Sequence, residues 1–335
     1  MKTIYLSFFA MTFLTPSLAQ TTAVQDSIPE IQLEEVKLAG LRVDEDQPFS
    51  FSNVDEEELA SRNLGQDLPI LLNYLPGVVT TSDAGAGIGY TGIRVRGSDA
   101  TRVNVTINGI PYNDSESQGV YWVNMPDFAS SVSSLQIQRG VGTSTNGSGA
   151  FGASINLLTD EVSQKAYAEM ANTLGSFNTL KHTMKFSTGL LNDHFEFSGR
   201  LSKITSDGFI ERATSDLKSY FFQAAYQDEN TLIKALVFGG HEITYQSWFG
   251  VDANTLATNR IYNPAGEIYD DNGNLEGHYD NQVDNYRQDH YQFHWNQKID
   301  DYTSLSLGLN YTYGRGYYEE YKDLWFEQNV NFSSD

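Results

Sequence analysis

From Gln164 onward, apolar and polar side chains alternate with a period of two over long runs, and seven such strands can be counted. Phe195, Phe197, Gly199 and Leu201 oppose Glu196, Ser198, Arg200 and Ser202, while Tyr220, Phe222, Ala224 and Tyr226 share one face. Tyr291, Phe293 and Trp295 oppose Gln292, His294 and Asn296. The pattern is clearest where Leu305, Leu307, Leu309, Tyr311 and Tyr313 oppose Ser304, Ser306, Gly308, Asn310 and Thr312. Successive strand residues point to opposite faces, so each of these strands has one apolar and one polar face. Short connections fall at Leu191–Asp193, Asp228–Asn230 and Ile299–Asp301; long ones fall at Thr205–Leu217, Glu242–Arg287 and from Gly314 onward. With the first strand over Gln164–Leu174, every short turn after Gly175-Ser176 lies at one edge of the sheet and every long loop at the other.

Upstream the pattern is different. Asp55-Glu-Glu-Glu58 opens a short helix with acids in its first turn, where they oppose the helix dipole. A second helix is expected over Gln66–Tyr74, with Leu68, Leu71, Leu72 and Leu75 at helical spacing and Pro76-Gly77 as the stop. Val78–Thr81 reads as a strand. Gly85 to Thr159 consists of short β-rich runs broken by glycines and Asx turns, and Asn108-Gly109 marks a hairpin after Val103–Ile107.

The first nineteen residues carry Lys2, an apolar run from Ile4 to Leu14, the breaker Pro16 and Ser17-Leu18-Ala19, the pattern of a secretory signal peptide over residues 1–19. Beyond it nothing approaches a membrane helix, so any membrane segment must be a strand. With 20 Tyr, 19 Phe and 28 Gly in 335 residues, the composition suits such strands, apolar to lipid and polar to a lumen. The chain has no cysteine, hence no disulfide framework, thiolate metal site or lipoprotein anchor. A formal charge of −22 excludes a general nucleic-acid binder.

Ile93-Arg-Val-Arg-Gly97, Val103-Asn-Val-Thr-Ile-Asn-Gly-Ile-Pro111, Ile137-Gln-Arg-Gly140 and Gly149-Ala-Phe-Gly-Ala-Ser-Ile-Asn-Leu-Leu-Thr159 resemble, in order and spacing, the plug domain of TonB-dependent outer-membrane receptors. Through Gln118-Gly-Val-Tyr-Trp-Val-Asn-Met-Pro126 the resemblance is to the ferric-citrate type. It implies an α+β plug domain over residues 54–160, followed by an antiparallel transmembrane β-barrel beginning at 161 and running to 335. Receptors of this type have about 22 strands. Seven strands would leave an open edge in lipid, so the sequence is expected to be an N-terminal fragment of a longer protein.

The resemblance also assigns sites. Residues 20–53 become a periplasmic tail whose apolar alternation, Leu33, Glu34, Glu35, Val36, Lys37, Leu38 and Ala39, is the TonB box. That segment pairs edge to edge with a strand of TonB, a mode that makes little demand on sequence. Two outward loops, about Ser82–Thr91 and Tyr112–Asn124, are expected to touch ligand through Tyr90, Arg94, Tyr112, Asp114, Glu116, Gln118, Tyr121 and Trp122, which combine flat apolar faces with hydrogen-bonding groups. Arg96 and Arg139 are expected to pair with barrel glutamates as a plug–barrel lock.

No catalytic constellation accompanies these motifs, and neither an enzyme nor a cofactor is expected. Gly85–Gly92 lacks the Gly-Lys-Ser/Thr ending of a phosphate loop. His290 and His294 fall on one face of a strand rather than on a helix. The acidic loop containing Asp252, Glu267, Asp270, Asp271, Glu276, Asp280, Asp284 and Asp289 reads as solvated charge, with calcium as the alternative. The resemblance therefore implies energised uptake of a ferric chelate, with cobalamin or glycan uptake, or a passive porin or adhesin barrel, as alternatives.

Overall fold

The computed structural model describes residues 42–43, 46–142 and 150–322. The expected signal peptide and the TonB box at Leu33–Ala39 lie outside the described residues.

The chain enters an N-terminal domain through strand β1, Phe51–Asp55, within what sequence reading treats as tail. Only Val54 of this strand is fully buried, which explains why the alternation is too weak to be noticed. Helix α1, Glu56–Arg62, begins where expected, capped by Asp55, whose carboxylate accepts from the Glu58 amide at 2.9 Å. Helix α2 is shorter than expected, Leu68–Leu71, because Pro69 starts it and turns carry the remaining leucines into the core. Strands β2 (Val78–Ser82) and β3 (Thr91–Val95) form a separate hairpin. Then come β4 (Val103–Ile107), β5 (Ile110–Pro111), β6 (Val132–Arg139) and β7 (Ala153–Thr159). With β1 they make a five-stranded sheet in the order β1-β6-β7-β4-β5, in which β4 and β7 run parallel. Asn108 and Gly109, both at positive φ, make the tight β4–β5 turn that their sequence predicts. Val95, Ile107, Leu135, Ile137 and Ile155, with Leu59 and Leu72 of the helical segment, fill the core.

Seven antiparallel strands follow: β8 (Ala166–Gly175), β9 (Thr179–Thr188), β10 (Phe195–Ser206), β11 (Ser215–Gln227) and β12 (Thr231–Tyr245), then β15 (Val283–Lys298) and β16 (Ser304–Tyr318). The β12–β15 loop holds helix α3 (Ala253–Thr258) and a small hairpin of β13 (Glu267–Tyr269) and β14 (Leu275–His278). The number of strands and the placement of short and long connections agree with the period-two pattern, although β16 runs four residues past the expected loop start at Gly314. The polar face of the sheet packs on the N-terminal domain and the apolar face is exposed, with Phe195, Phe197 and Leu201 each near half exposed.

The two parts are joined by a buried ionic centre. Asp127, in left-handed backbone after Pro126, points its carboxylate out of the N-terminal domain into the sheet. There it meets Lys181 Nζ at 2.6 Å and Arg200 Nη1 at 3.6 Å, with the three side chains between 0 and 4 % exposed. Thr183 and Ser202 donate to the same carboxylate from the sheet, and Asn63 and Ser130 from the domain side. Burial alone would raise the Asp127 pKa, but Arg200 and Lys181 outweigh it and hold the carboxyl below the usual carboxylate range. Arg200 also bonds Ser131 at 2.7 Å, and Ser219 donates to the Pro126 carbonyl at 2.6 Å. Removing one member of a buried ionic group strands the others, at a cost of about 3–5 kcal/mol. Asp127→Ala should therefore lower the thermal unfolding midpoint of the purified protein strongly, whereas Glu58→Ala, which removes an exposed pair with Arg62, should barely move it.

Candidate functional site

Between the N-terminal domain and strands β12, β15 and β16, at the long-loop end, lies a cavity of about 720 Å³. One wall is the segment Pro111–Asn124. Its shape comes from Asn113, whose side-chain oxygen accepts from the Val105 amide at 2.7 Å while its amide donates to Val103 and Gln118 carbonyls, both at 2.9 Å. Asp114 then caps the following turn, accepting from the Glu116 and Ser117 amides at 3.0 and 2.7 Å. Those amides, that of Ser117 foremost, hold its carboxyl below the ordinary value.

Tyr112 spans the cavity floor. Its hydroxyl donates to Gln288 Oε1 at 3.1 Å and its ring packs 5.0 Å from His290. His290 in turn stacks on Phe238 at 4.8 Å, and Phe238 on Phe128, so the floor continues into the core. Tyr90, from the glycine-rich loop, donates to Asp284 of β15 and meets Trp248 edge-on at 5.4 Å. Burial foremost raises the pKa of both phenols, with added repulsion from Glu242 and Asp284 at Tyr90 and from Tyr286 at Tyr112, so both remain protonated donors at neutral pH.

Of the expected ligand residues, Tyr90, Tyr112, Asp114 and Tyr121 line this cavity. The other four do not. Trp122 begins a single 3₁₀ turn and is 2 % exposed, part of the domain core; an aromatic in a polar loop reads as surface until the turn that buries it is known. Gln118, at positive φ, donates to the Ser115 carbonyl, and Glu116 is exposed outside the cavity. Arg94 projects from β3, its charge felt by Asp99 rather than by the cavity. Arg96 and Arg139 bond within the N-terminal domain: among the described residues, Arg96 donates to Ser50 Oγ and the Arg139 carbonyl, and Arg139 to Ser52 Oγ and the Phe51 carbonyl. They clamp the Ser50–Ser52 segment to β6, while Asp127 with Lys181 and Arg200 ties the domain to the described strands of the sheet.

Sequence reading missed the barrel half of the cavity. Asp284, Tyr286, Gln288, His290 and Gln292 are alternate residues of one strand and all line it, with Glu242 beside them on β12. The signal was available in the period-two pattern, since these residues share parity with the lumen-facing Gln292, His294 and Asn296. Three carboxylates, Asp114, Glu242 and Asp284, face the space, and no Lys or Arg is among the described lining residues. No group of three or more His, Cys, Asp or Glu among the described residues is arranged to hold a metal.

This geometry can be set against known proteins. Residues 43–154 match the family model of the TonB-dependent receptor plug domain. That segment is a plug domain. It reaches further toward the N-terminus than the boundary expected at 54, in keeping with β1 and with Val43, which exchanges hydrogen bonds with the side chain of Gln136. The plug and the partial barrel after it share their fold with solved receptors. The ferric-catecholate import receptor Fiu of E. coli is 15% identical with a TM-score of 0.60, covering 80% of this chain and 39% of its own. The ferric yersiniabactin uptake receptor FyuA of Yersinia pestis is 14% identical at 0.61, covering 81% and 42%. The unliganded ferric citrate transporter FecA is 16% identical at 0.60, covering 82% and 42%. The chain thus spans about two-fifths of the length of these proteins. A search of curated protein sequences finds no match. TonB-dependent receptors are transporters and not enzymes.

The plug loop that carries Tyr90 is fixed from below by Asp67, whose amide donates to the Gly87 carbonyl and whose carboxylate accepts from Thr91 at 3.0 Å. Burial pushes the Asp67 pKa up to about 8, against the lowering effect of the Thr91 bond. In the unfolded chain an aspartate ionises near pH 4, so between about pH 4 and 8 the unfolded state binds fewer protons and stability falls as pH rises. The midpoint of Asp67→Asn should therefore gain on that of the natural protein as pH rises through this window. A gap independent of pH in parallel melting curves would show that Asp67 is not protonated in the folded state.

Proposed function

We propose that this protein is a TonB-dependent transporter of the outer membrane that takes up a ferric chelate through the cavity between plug and barrel. The observation that carries the reading is the cavity itself, walled on one side by the plug loop of Tyr112 and Asp114 and on the other by lumen-facing residues of β12 and β15. A ligand seated there touches both parts at once. It can therefore favour one arrangement of the plug over another, which coupling binding to transport requires. The iron reading draws support from the receptors named above, whose cargo is ferric, and from the ferric-citrate-like motif. The lining sharpens it: three carboxylates with Tyr, Asn and Gln, and no Lys or Arg among the described lining residues, suit a neutral or cationic chelate better than anionic ferric citrate. The same tyrosines and amides suit a neutral glycan, which is the second reading.

Leu33–Ala39 is the TonB box in this proposal, pairing as an added strand with periplasmic TonB, which draws on inner-membrane energy to remodel the plug. Cells expressing the full-length gene should accumulate radiolabelled iron from cationic ferrioxamine B saturably and more readily than from ferric citrate. Val36→Pro removes a strand amide and should abolish that uptake at equal surface abundance. Tyr112→Ala should raise the half-saturating concentration about tenfold. Uptake indifferent to Val36→Pro would leave a passive pore, and an absence of chelate uptake would move the reading to glycans.

A further inference from the structure

The exterior of the barrel carries a second ordered feature. On β16 the outward face is apolar from Leu305 to Tyr313, about 27 Å along the strand and about 21 Å in height at a tilt near 40°, against about 25 Å for the apolar band of an outer-membrane barrel. Matching exterior positions on the neighbouring strands are Phe195 to Leu201, Tyr226 to Tyr220 and Trp295 to Tyr291. The last row of this band, Met170, Met184, Leu201, Tyr220, Gly239, Asp289 and Tyr313, already carries one acid, and the next row toward the long loops is polar on every strand. Directly paired residues across all seven strands read Asn172, His182, Lys203, Lys218, His241, Arg287 and Arg315. One row further out, the residues are Leu174, Leu180, Thr205, Asp216, Ile243, Asn285 and Tyr317. On β10, β11, β12, β15 and β16 the basic residues thus form a single line at the long-loop end of the apolar band, while on β8 and β9 the apolar face resumes beyond it at Leu174 and Leu180.

These side chains are on the outside. Their strand neighbours Lys181, Thr183, Ser202 and Ser219 face Asp127 and the plug, so the opposite parity faces away from it. Asp216 pairs with Lys203, and Asp289 with Arg287 and Arg315, so two acids oppose four full positive charges and two histidines. In a chain of net charge −22, a line of surplus positive charge on the lipid-facing surface is selective placement. Beside the line lies a groove of about 660 Å³ walled by apolar Met170, Met184, Leu201 and Tyr220 and rimmed by Lys203 and Lys218. A water-soluble anion has no use for the apolar wall, and a neutral lipid has none for the basic rim.

We propose that this row is a binding site for the phosphate-bearing headgroup of a lipid in the leaflet on the long-loop side, with an acyl chain in the adjoining groove. Each base at a membrane surface adds attraction for an anionic head, and the aligned row presents several at one depth. The site is independent of the cavity between plug and barrel and of whatever ligand enters there.

The test uses the purified full-length protein in detergent, with dioleoylphosphatidic acid and dioleoylphosphatidylcholine as probes that share acyl chains and differ in headgroup. Retained lipid is counted by native mass spectrometry. Phosphatidic acid should be retained about tenfold more than phosphatidylcholine, falling toward parity in Lys203→Gln with Lys218→Gln and at high salt. The single exposed substitution Lys218→Gln should give an intermediate ratio should the double variant fail to fold. Lys298→Gln, at the short-turn end, should leave the preference intact. Equal retention of the two lipids, an unchanged ratio in both row variants, or an equal loss in Lys298→Gln would overturn the assignment.

Discussion

A carboxylate with no access to water holds this molecule together. Asp127 is enclosed by two cations and four hydrogen-bonding neighbours drawn from both the plug and the sheet, and none of them could sit there alone. Such a group is a poor source of net stability, because desolvating three charges offsets most of their attraction. What it supplies is register. An apolar seam would let plug and sheet slide, whereas Asp127 satisfies its partners in only one relative position. Around it the interface combines hydroxyl-to-backbone bonds such as Ser219 to the Pro126 carbonyl with an apolar contact of Phe221, Leu236 and Phe238 against Phe128 and its neighbours.

The cavity depends on that registration. Its plug wall is stiffened by Asn113 and Asp114 bonding to backbone, and its floor by the chain of rings from Tyr112 through His290 to Phe238 and Phe128. A shift of the plug relative to the sheet would part Tyr112 from Gln288 and Tyr90 from Asp284 together. A ligand seated there, as proposed, would be coupled to plug position by geometry alone. Of the three carboxylates in the lining, Asp284 already serves as acceptor for Tyr90, whereas Tyr112 uses the neutral Gln288.

The barrel strands were legible because the period of two follows from strand geometry, and the pattern is as clear on β16, whose residues are nearly all exposed, as on β10 to β12, which bury one face on the plug. Short plug strands with glycine turns were legible as a kind of segment more than as individual elements. Phe51–Asp55 escaped because its pairing comes from β6, more than eighty positions away, and its own alternation is slight. Trp122 was misplaced because hydrophobicity says that a side chain should be covered but not by what. Arg96 and Arg139 sit in recognisable motifs, yet a motif does not name a partner; among the described residues they bond hydroxyls and carbonyls of Ser50, Phe51, Ser52 and Arg139. Nothing in the sequence singles out Asp127; its role exists only once β9 and β10 are folded against it.

Strand β1 gives the plug a mechanical direction. It is the outermost strand of the five, antiparallel to β6, and the chain leaves it at the end where Arg96 and Arg139 grip Ser50, Phe51 and Ser52. Tension on the preceding chain is delivered first to Arg42 and Val43, which bond Ser134, Asn156 and Gln136, then to the bonds of Arg96 and Arg139, and then, pair by pair, to the β1–β6 ladder. An edge strand loaded from its end peels one rung at a time, so the force at any moment is borne by a few bonds rather than by the whole sheet. The plug can thus begin to yield at its rim while the buried centre around Asp127 still carries no load.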